Sequence, residues 1–271
     1  MKKLLSKFGL KKEPFSKDVP VDEFYWPSQL EDARMRLRSA IKGRVSAVMT
    51  GDPGTGKTFV FRAVEKDLEG QPYRFEYLPN SALNRRDFYR QLCFSMGLEP
   101  RSSAEGVFRL VSQHIEEMAT NQKIRPVACF DEAHMIPDSV LSHLPVLLNF
   151  QRDSKPFFSI VLVGLGDLRI TLRRNIQSAL NTRIPVRIHL KPLNPDQVSK
   201  YVKHRMKKAG ADKEVFTEES LLLIAEATGG IMRKIDVLSH ECLDQTLEGR
   251  CALVEVSHVK NAICACEGAL L

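Results

Sequence analysis

The chain has 271 residues, enough for one large domain or two modest ones, since domains usually run to about 100–200 residues. Hydrophobic residues make up 43% and charged residues 27%, with no low-complexity tract, which excludes a disordered chain and predicts one that folds throughout. Lys and Arg outnumber Asp and Glu by 40 to 33, and the resulting +7 favours polyanionic partners without selecting one.

Residues 1–27 are mixed, and Pro14, Pro20 and Pro27 forbid a long helix there. Ser28-x-x-Glu31 then makes a capping box. Leu30, Ala33, Leu37, Ala40 and Ile41 fall on one face, which predicts a helix ending near Lys42-Gly43. Residues 45–49 read as a buried strand running into a glycine-rich turn and a new helix from about Lys57. The alternation continues with strand 75–78, helices 84–96 and 104–118, strand 127–130, helix 138–150, strand 159–163, a basic helix over 168–174 and strand 186–190. Strands separated by helices predict an α/β fold, with a parallel sheet covered on both faces.

From Asn194 no strand-like run remains and four helical patterns follow. Asn194 is an N-cap before Pro195, Gly210 is placed to stop that helix, and Thr217, Gly229-Gly230 and Ser257 punctuate the rest. The expected domains are 1–191, an αβα core with an N-terminal extension, and 192–271, a small all-helical unit.

The six cysteines, Cys93, Cys129, Cys242, Cys251, Cys264 and Cys266, show neither C-x-x-C nor zinc-type His spacing and read as reduced thiols. The longest apolar run, 157–166, is short of the roughly 20 residues a membrane span needs. Leu4-Leu5 is broken at once by Ser6-Lys7, so there is no signal-peptide core. A cytoplasmic location with no membrane partner is expected.

Gly51-Asp52-Pro53-Gly54-Thr55-Gly56-Lys57-Thr58 matches G-x-x-x-x-G-K-[ST], with Phe59 next. In such a loop the glycines let backbone N–H groups curl round phosphate oxygens. Lys57 neutralises the β and γ phosphates of ATP, and the Thr58 hydroxyl ligates Mg2+. Its place between a predicted strand and a predicted helix adds the positive end of a helix dipole. A second strand end must supply a carboxylate. Asp131, after the apolar residues 127–130, is expected to hold the metal and Glu132 to be the base for the attacking water.

With both motifs in hand, the sequence resembles the AAA+ ATPases and, within them, the ExeA-type group. The resemblance rests on Phe8-Gly9-Leu10 with Pro14-Phe15, Phe24-Tyr25, both Walker motifs, 161–164 with Asp167-Leu168-Arg169, and Thr228-Gly229-Gly230-Ile231-x-Arg233-x-Ile235, in this order. It implies an αβα P-loop core plus a helical lid, with ATP and Mg2+ held between them, and hydrolysis of ATP. Carried over residue by residue, Arg233 is the sensor 2 arginine. Arg183, in Asn181-Thr182-Arg183, is the arginine finger that completes a neighbour's site, with Arg187 as the alternative. Tyr25 is expected against the adenine, core packing being the other reading.

The sequence departs from the family at the end of the fourth strand. Gly164-Leu165-Gly166 stands where a polar sensor 1 side chain is usual, and leucine cannot orient water. Either Asp167 or Thr171 substitutes, or basal turnover is slow and ATP acts mainly as an assembly switch.

Two branches of the resemblance differ in destination. Secretion-type members carry a transmembrane helix and a peptidoglycan-binding domain after the ATPase, whereas this sequence ends at Leu271 with neither. The expectation therefore leans to short ATPases that work beside a transposase, of the MuB, IstB and TnsC kind, forming rings or filaments on duplex DNA. In that branch two segments track the DNA backbone. Here they correspond to Asn80 through Arg86 with Arg90, and to Arg101-Ser102-Ser103; the DNA-contact candidates are Arg85, Arg86, Arg90, Arg101, Ser102 and Ser103. A secretion or assembly ATPase that acts on protein partners without nucleic acid is the alternative.

A second basic cluster on the first lid helix, Lys200, Lys203, Arg205, Lys207 and Lys208, reads either as a solvated face or equally as a dock for an acidic partner such as a transposase tail. Asp131-Glu132-Ala133-His134 also spells the signature of a helicase class, but those enzymes need two RecA-like domains, for which residues 1–191 leave no space. His134 then needs no special role and reads as a core or water-bridged histidine, with coupling of the site to bound DNA as the other reading.

Overall fold

The computed structural model describes residues 2–79, 82–248, 251–266 and 268. Asn80 and Ser81, which open the first basic segment, lie outside the described residues. In chain order the elements are α1 (Lys2–Lys7), α2 (Ser28–Lys42), β1 (Ala47–Gly51), α3 (Lys57–Asp67), β2 (Tyr73–Leu78), α4 (Arg85–Ser95) and α5 (Ala104–Thr120). Then come β3 (Arg125–Phe130), α6 (Asp138–Leu141), α7 (Leu144–Leu147), β4 (Ser159–Gly164), α8 (Asp167–Arg173), α9 (Ser178–Arg183) and β5 (Val186–Leu190). The helices α10 (Pro195–Ala209), α11 (Glu218–Thr228), α12 (Met232–Glu248) and α13 (Val256–Ala265) complete the chain.

The chain divides into two compact units. One comprises Met1–Glu31, Asp52–Gly56 and Lys191–Leu271, and the other Asp32–Gly51 and Lys57–Leu190. The sequence had placed residues 1–31 with the core. In the structure they pack within the helical unit: Lys11 donates its amide to the Ala209 carbonyl at 2.7 Å, and the Lys7 ammonium donates to the Thr246 carbonyl, also at 2.7 Å. The short helix α1 buries Leu4, and its residues lie upstream of the prolines that forbid a longer one.

The second unit holds a five-stranded, all-parallel sheet in the order β2-β3-β4-β1-β5. Every residue of β1 and β4 is buried, as expected of strands covered on both faces, and both therefore read as unbroken apolar runs rather than alternations. Helix α5 is fixed at its start by Ser103, whose hydroxyl accepts from the Gly106 amide at 3.0 Å, and it buries Val107, Val111, Ile115 and Met118 along one stripe. Strand order brings the tip of β4 between those of β1 and β3. Two residues beyond the paired Phe130 and Leu162 stand Glu132 and Gly164, while Gly164 also pairs with Thr50 at the end of β1.

The expected helix 138–150 is instead two single turns, α6 and α7. Pro145 has no N–H to donate and its ring crowds the carbonyl one turn earlier, so the helix breaks and restarts with Pro at its first turn. Gln151, Arg152 and Asp153 follow, all left-handed, with φ of 48°, 59° and 64°.

The helical unit has the four predicted C-terminal helices. Helix α10 begins at the reciprocal capping box of Asn194 and Gln197 and ends at Gly210, whose φ of 111° few other residues adopt. The solvated face expected over residues 200–208 is corrected at Arg205, which is buried. Its guanidinium donates to the Pro14 and Ser16 carbonyls at 2.7 Å each and to the Tyr201 hydroxyl at 2.7 Å, and it lies 3.3 Å from Asp236. The basic neighbours on its own helix hid this role, because the partners lie about 190 and 30 residues away. Lys200 pairs with Asp196 and Lys203 with Glu214 and Glu218, whereas Lys207 and Lys208 are exposed.

Candidate active site

The P-loop follows β1. Gly54 and Gly56 have φ of 81° and 92°, the left-handed region that side chains disfavour. At Gly54 space adds to strain. A Cβ there would lie 2.7 Å from the Cβ of Arg233, whose amide reaches the Gly54 carbonyl at 3.3 Å. Gly54→Ala is therefore expected to lose about tenfold or more in nucleotide affinity, the equivalent of about 1–2 kcal/mol of backbone strain. Titration with a fluorescent ATP analogue checks this, with circular dichroism to confirm that the fold survives.

Helix α3 starts at Lys57, which is buried and donates from Nζ to the Gly51 carbonyl at 2.8 Å. The Thr58 hydroxyl donates to Asp131 Oδ2 at 2.8 Å, so the two predicted metal ligands are brought together from α3 and the end of β3. A hydroxyl and a carboxylate side by side are the hard oxygen donors that suit Mg2+, which takes only one or two carboxylates and draws its other ligands from phosphate and water. The Asp131 Oδ1 atom accepts the Glu132 amide at 2.9 Å, which holds the carboxylate in place.

Two site residues escaped the sequence reading. Tyr77, on β2, donates its hydroxyl to the same Asp131 Oδ2 at 2.6 Å. Burial, and then the adjoining Asp131, push its phenol well above its ordinary pKa, so it stays a donor. The strand carrying Tyr77 was legible, but its pairing next to β3 was not. The other residue is His134, in the 3-10 turn Ala133–Met135. Its Nδ1 lies 3.5 Å from Glu132 Oε2 and 3.5 Å from the Leu165 amide nitrogen. Glu132 is left-handed at φ 51°, and its side chain is 53% exposed, open to a water molecule.

The remaining predicted residues fall in separate places. Arg233 is exposed at the start of α12. Tyr25 packs near His204 and Tyr201, with ring centroids 5.7 and 6.5 Å away. Phe59 is half-buried on α3, with the Arg62 guanidinium 5.9 Å from its ring. Arg183, at the end of α9, is paired with Asp153 at 2.7 Å and also donates to the Ala179 carbonyl, while Arg187 bonds Asn181 Oδ1 at 2.6 Å. The two basic segments do meet: Arg86 donates to the Ser102 carbonyl at 3.1 Å. Arg85, Arg86, Arg101, Ser102 and Ser103 are exposed, and Arg90 lies over the Phe94 ring.

Compared with known proteins, residues 40–172 match the family described as "AAA domain". Over that stretch the chain is similar to an AAA domain. Its fold is that of solved AAA structures: Cdc6p of Pyrobaculum aerophilum (TM-score 0.72, 18% identity, 92% of this chain and 69% of that one) and the Orc1 protein of Aeropyrum pernix, solved in complex with DNA (0.70, 18%, 95% and 70%). The Thermotoga maritima RuvB Holliday junction branch migration motor is also similar (0.61, 16%, 94% and 73%). At such identities the likeness is one of fold. General secretion pathway protein A of Aeromonas hydrophila is 30% identical over 239 residues, 87% of this chain, and the chain spans 43% of that relative's length. The expected P-loop core with a helical C-terminal region is thus confirmed. The AAA domain is equipped for nucleotide binding and ATP hydrolysis, and no helix among the described residues is long and apolar enough to cross a membrane.

Proposed function

We propose that this chain binds ATP with Mg2+ at its Walker motifs, hydrolyses it slowly, and uses the nucleotide state to gate assembly with protein partners in a secretion or related process. One observation carries the catalytic part: the Thr58 hydroxyl stands 2.8 Å from the Asp131 carboxylate, with Glu132 next in the chain and open to water. Bound Mg2+ would offset phosphate charge there. Lys57 and the loop amides hold the phosphates, and Glu132 takes the proton of the attacking water. The partner class rests on the likeness to General secretion pathway protein A, which supports the alternative reading of the sequence better than the transposition one.

The position of Arg233 beside Gly54 supports a sensor 2 role toward phosphate on that loop. Tyr25 remains the candidate for adenine. Arg183 is the proposed finger of a homo-oligomer, whether ring or filament. Its pairing with Asp153 would be exchanged for a neighbour's phosphate, and an exposed ion pair of this kind holds it by only about 0–1 kcal/mol.

The second reading is regulation of a transposase on duplex DNA. What favours it is the Arg86–Ser102 bond, which joins the two basic segments. Phosphate release by the purified chain, together with duplex DNA titrations over a range of salt in ATP analogue and in ADP, tests both parts. Slow release and no nucleotide-dependent DNA binding are expected. Turnover near the median of enzymes, about 10 per second, without any partner would overturn slow hydrolysis. Binding in ATP analogue alone that falls steeply with salt and is lost in Arg85→Ala and Arg86→Ala would replace the protein-partner reading by the DNA one.

A further inference from the structure

The tip of β4 has no polar side chain of its own, and neither sequence candidate supplies one. Asp167 is exposed, Thr171 is half-buried on α8, and among the described residues neither makes a side-chain hydrogen bond. The vacancy is filled from the neighbouring strand end. A Cβ on Gly164 would lie 3.0 Å from the His134 backbone nitrogen, 3.2 Å from Leu168 Cδ2 and 3.4 Å from His134 Nδ1, so the turn that carries the imidazole packs directly on the strand tip. Gly164 is therefore a small residue on β4 that makes room for the turn after β3, and that turn carries the His134 ring.

We propose that His134 is a positioning residue for Glu132, standing in for the missing polar group of β4. This rests on the ATPase reading above. Its Nδ1 faces two partners at the same 3.5 Å, Glu132 Oε2 and the Leu165 N–H. One nitrogen serves one of them at a time. As the Nδ1–H tautomer the ring donates to the Glu132 carboxylate; as the Nε2–H tautomer its bare Nδ1 accepts from Leu165. Both distances exceed the roughly 3.0 Å of a formed N–H···O or N–H···N bond, so the ring is committed to neither. A shift of about half an ångström settles the choice. With the ring on Glu132, the base is aimed; with the ring on Leu165, the β4 tip is held and the base is released. The left-handed backbone of Glu132 and the tight turn that follows it set the carboxylate and the imidazole two residues apart on one side.

The choice extends to the partners of the active site. Whatever moves the tip of β4 changes which tautomer is favoured, so nucleotide or a neighbouring subunit acting on β4 alters the aim of Glu132 without touching it.

The test uses the full chain. His134→Ala is expected to lower kcat about 10- to 100-fold, as loss of an orienting partner does, while the KM for ATP stays within about twofold. His134→Asn, which can set an amide group where Nδ1 was, restores most of the rate, which a purely structural role would not predict. Gly164→Ala, whose Cβ crowds the His134 backbone and so shifts the turn that carries the ring, also lowers kcat. A readout free of activity is the 15N spectrum of the His134 ring without nucleotide. The wild-type chain shows both tautomers, and Glu132→Ala collapses them to Nε2–H. Ring shifts that ignore Glu132→Ala, or a His134→Ala chain with the wild-type kcat, overturn the proposal. A wild-type chain with no turnover under any stimulation sinks the ATPase reading instead, and the ring spectra still decide the role of His134.

Discussion

Glu132→Gln is expected to lower ATP turnover by about 10²- to 10⁴-fold, the usual contribution of a general base, while nucleotide binding and stability stay close to wild type. The amide is isosteric with the carboxylate and leaves the left-handed backbone at position 132 unchanged, but it cannot take a proton from water. The Asp131 carboxylate is held by Thr58, Tyr77 and the Glu132 amide, none of which the substitution removes. The variant should therefore still bind ATP, and a thermal upshift in ATP should match the wild type's. Steady-state phosphate release and thermal unfolding with and without nucleotide measure the two halves. Turnover that persists within about threefold of wild type would move the base elsewhere.

Arg205→Ala is expected to cost about 3–5 kcal/mol of stability in the helical unit, the usual loss when one partner of a buried pair is removed. The change leaves the Pro14 and Ser16 carbonyls, the Tyr201 hydroxyl and the Asp236 carboxylate short of a cation and of their donors. Burial already raises the Asp236 carboxyl from 3.8 to about 6, against the opposing pull of Arg205 and Tyr201. A carboxyl whose folded pKa is raised favours the fold most below its unfolded value, and that contribution is lost as pH rises through the folded one. The wild-type unit should therefore lose stability between about pH 4 and pH 6 relative to Asp236→Asn, which has nothing to titrate there. Urea midpoints of the wild type, Arg205→Ala and Asp236→Asn across that range test both statements. An Arg205→Ala midpoint equal to the wild type's would show that the guanidinium is dispensable.

Much of the site was legible in the chain because its chemistry is local. The P-loop needs small residues at fixed spacing before a helix, and Thr58 follows Lys57 by one residue. Asp131 and Glu132 follow an apolar strand that had to be buried. Local rules also marked the ends of α10 and α11, at Asn194, Gly210, Thr217 and Gly229. The rules failed where local pattern met a distant partner or a single breaking residue. Pro145 splits a helix whose apolar periodicity runs straight through it, and Arg205 sits in a run of basic residues whose other members are paired at the surface or exposed.

The sequence by itself determined the nucleotide chemistry, the parallel α/β core and the all-helical character of residues 195–265, since each follows from residues close together along the chain. Only the tertiary structure decided what stands at the tip of β4. Strand order places β4 between β1 and β3, and that order is set by crossover connections, which leave no mark on the local pattern. It is this neighbourhood that brings Tyr77 to the Asp131 carboxylate and the tip of β4 to His134. A residue that the sequence read as part of a chance spelling thereby stands 3.5 Å from the carboxylate of the expected base.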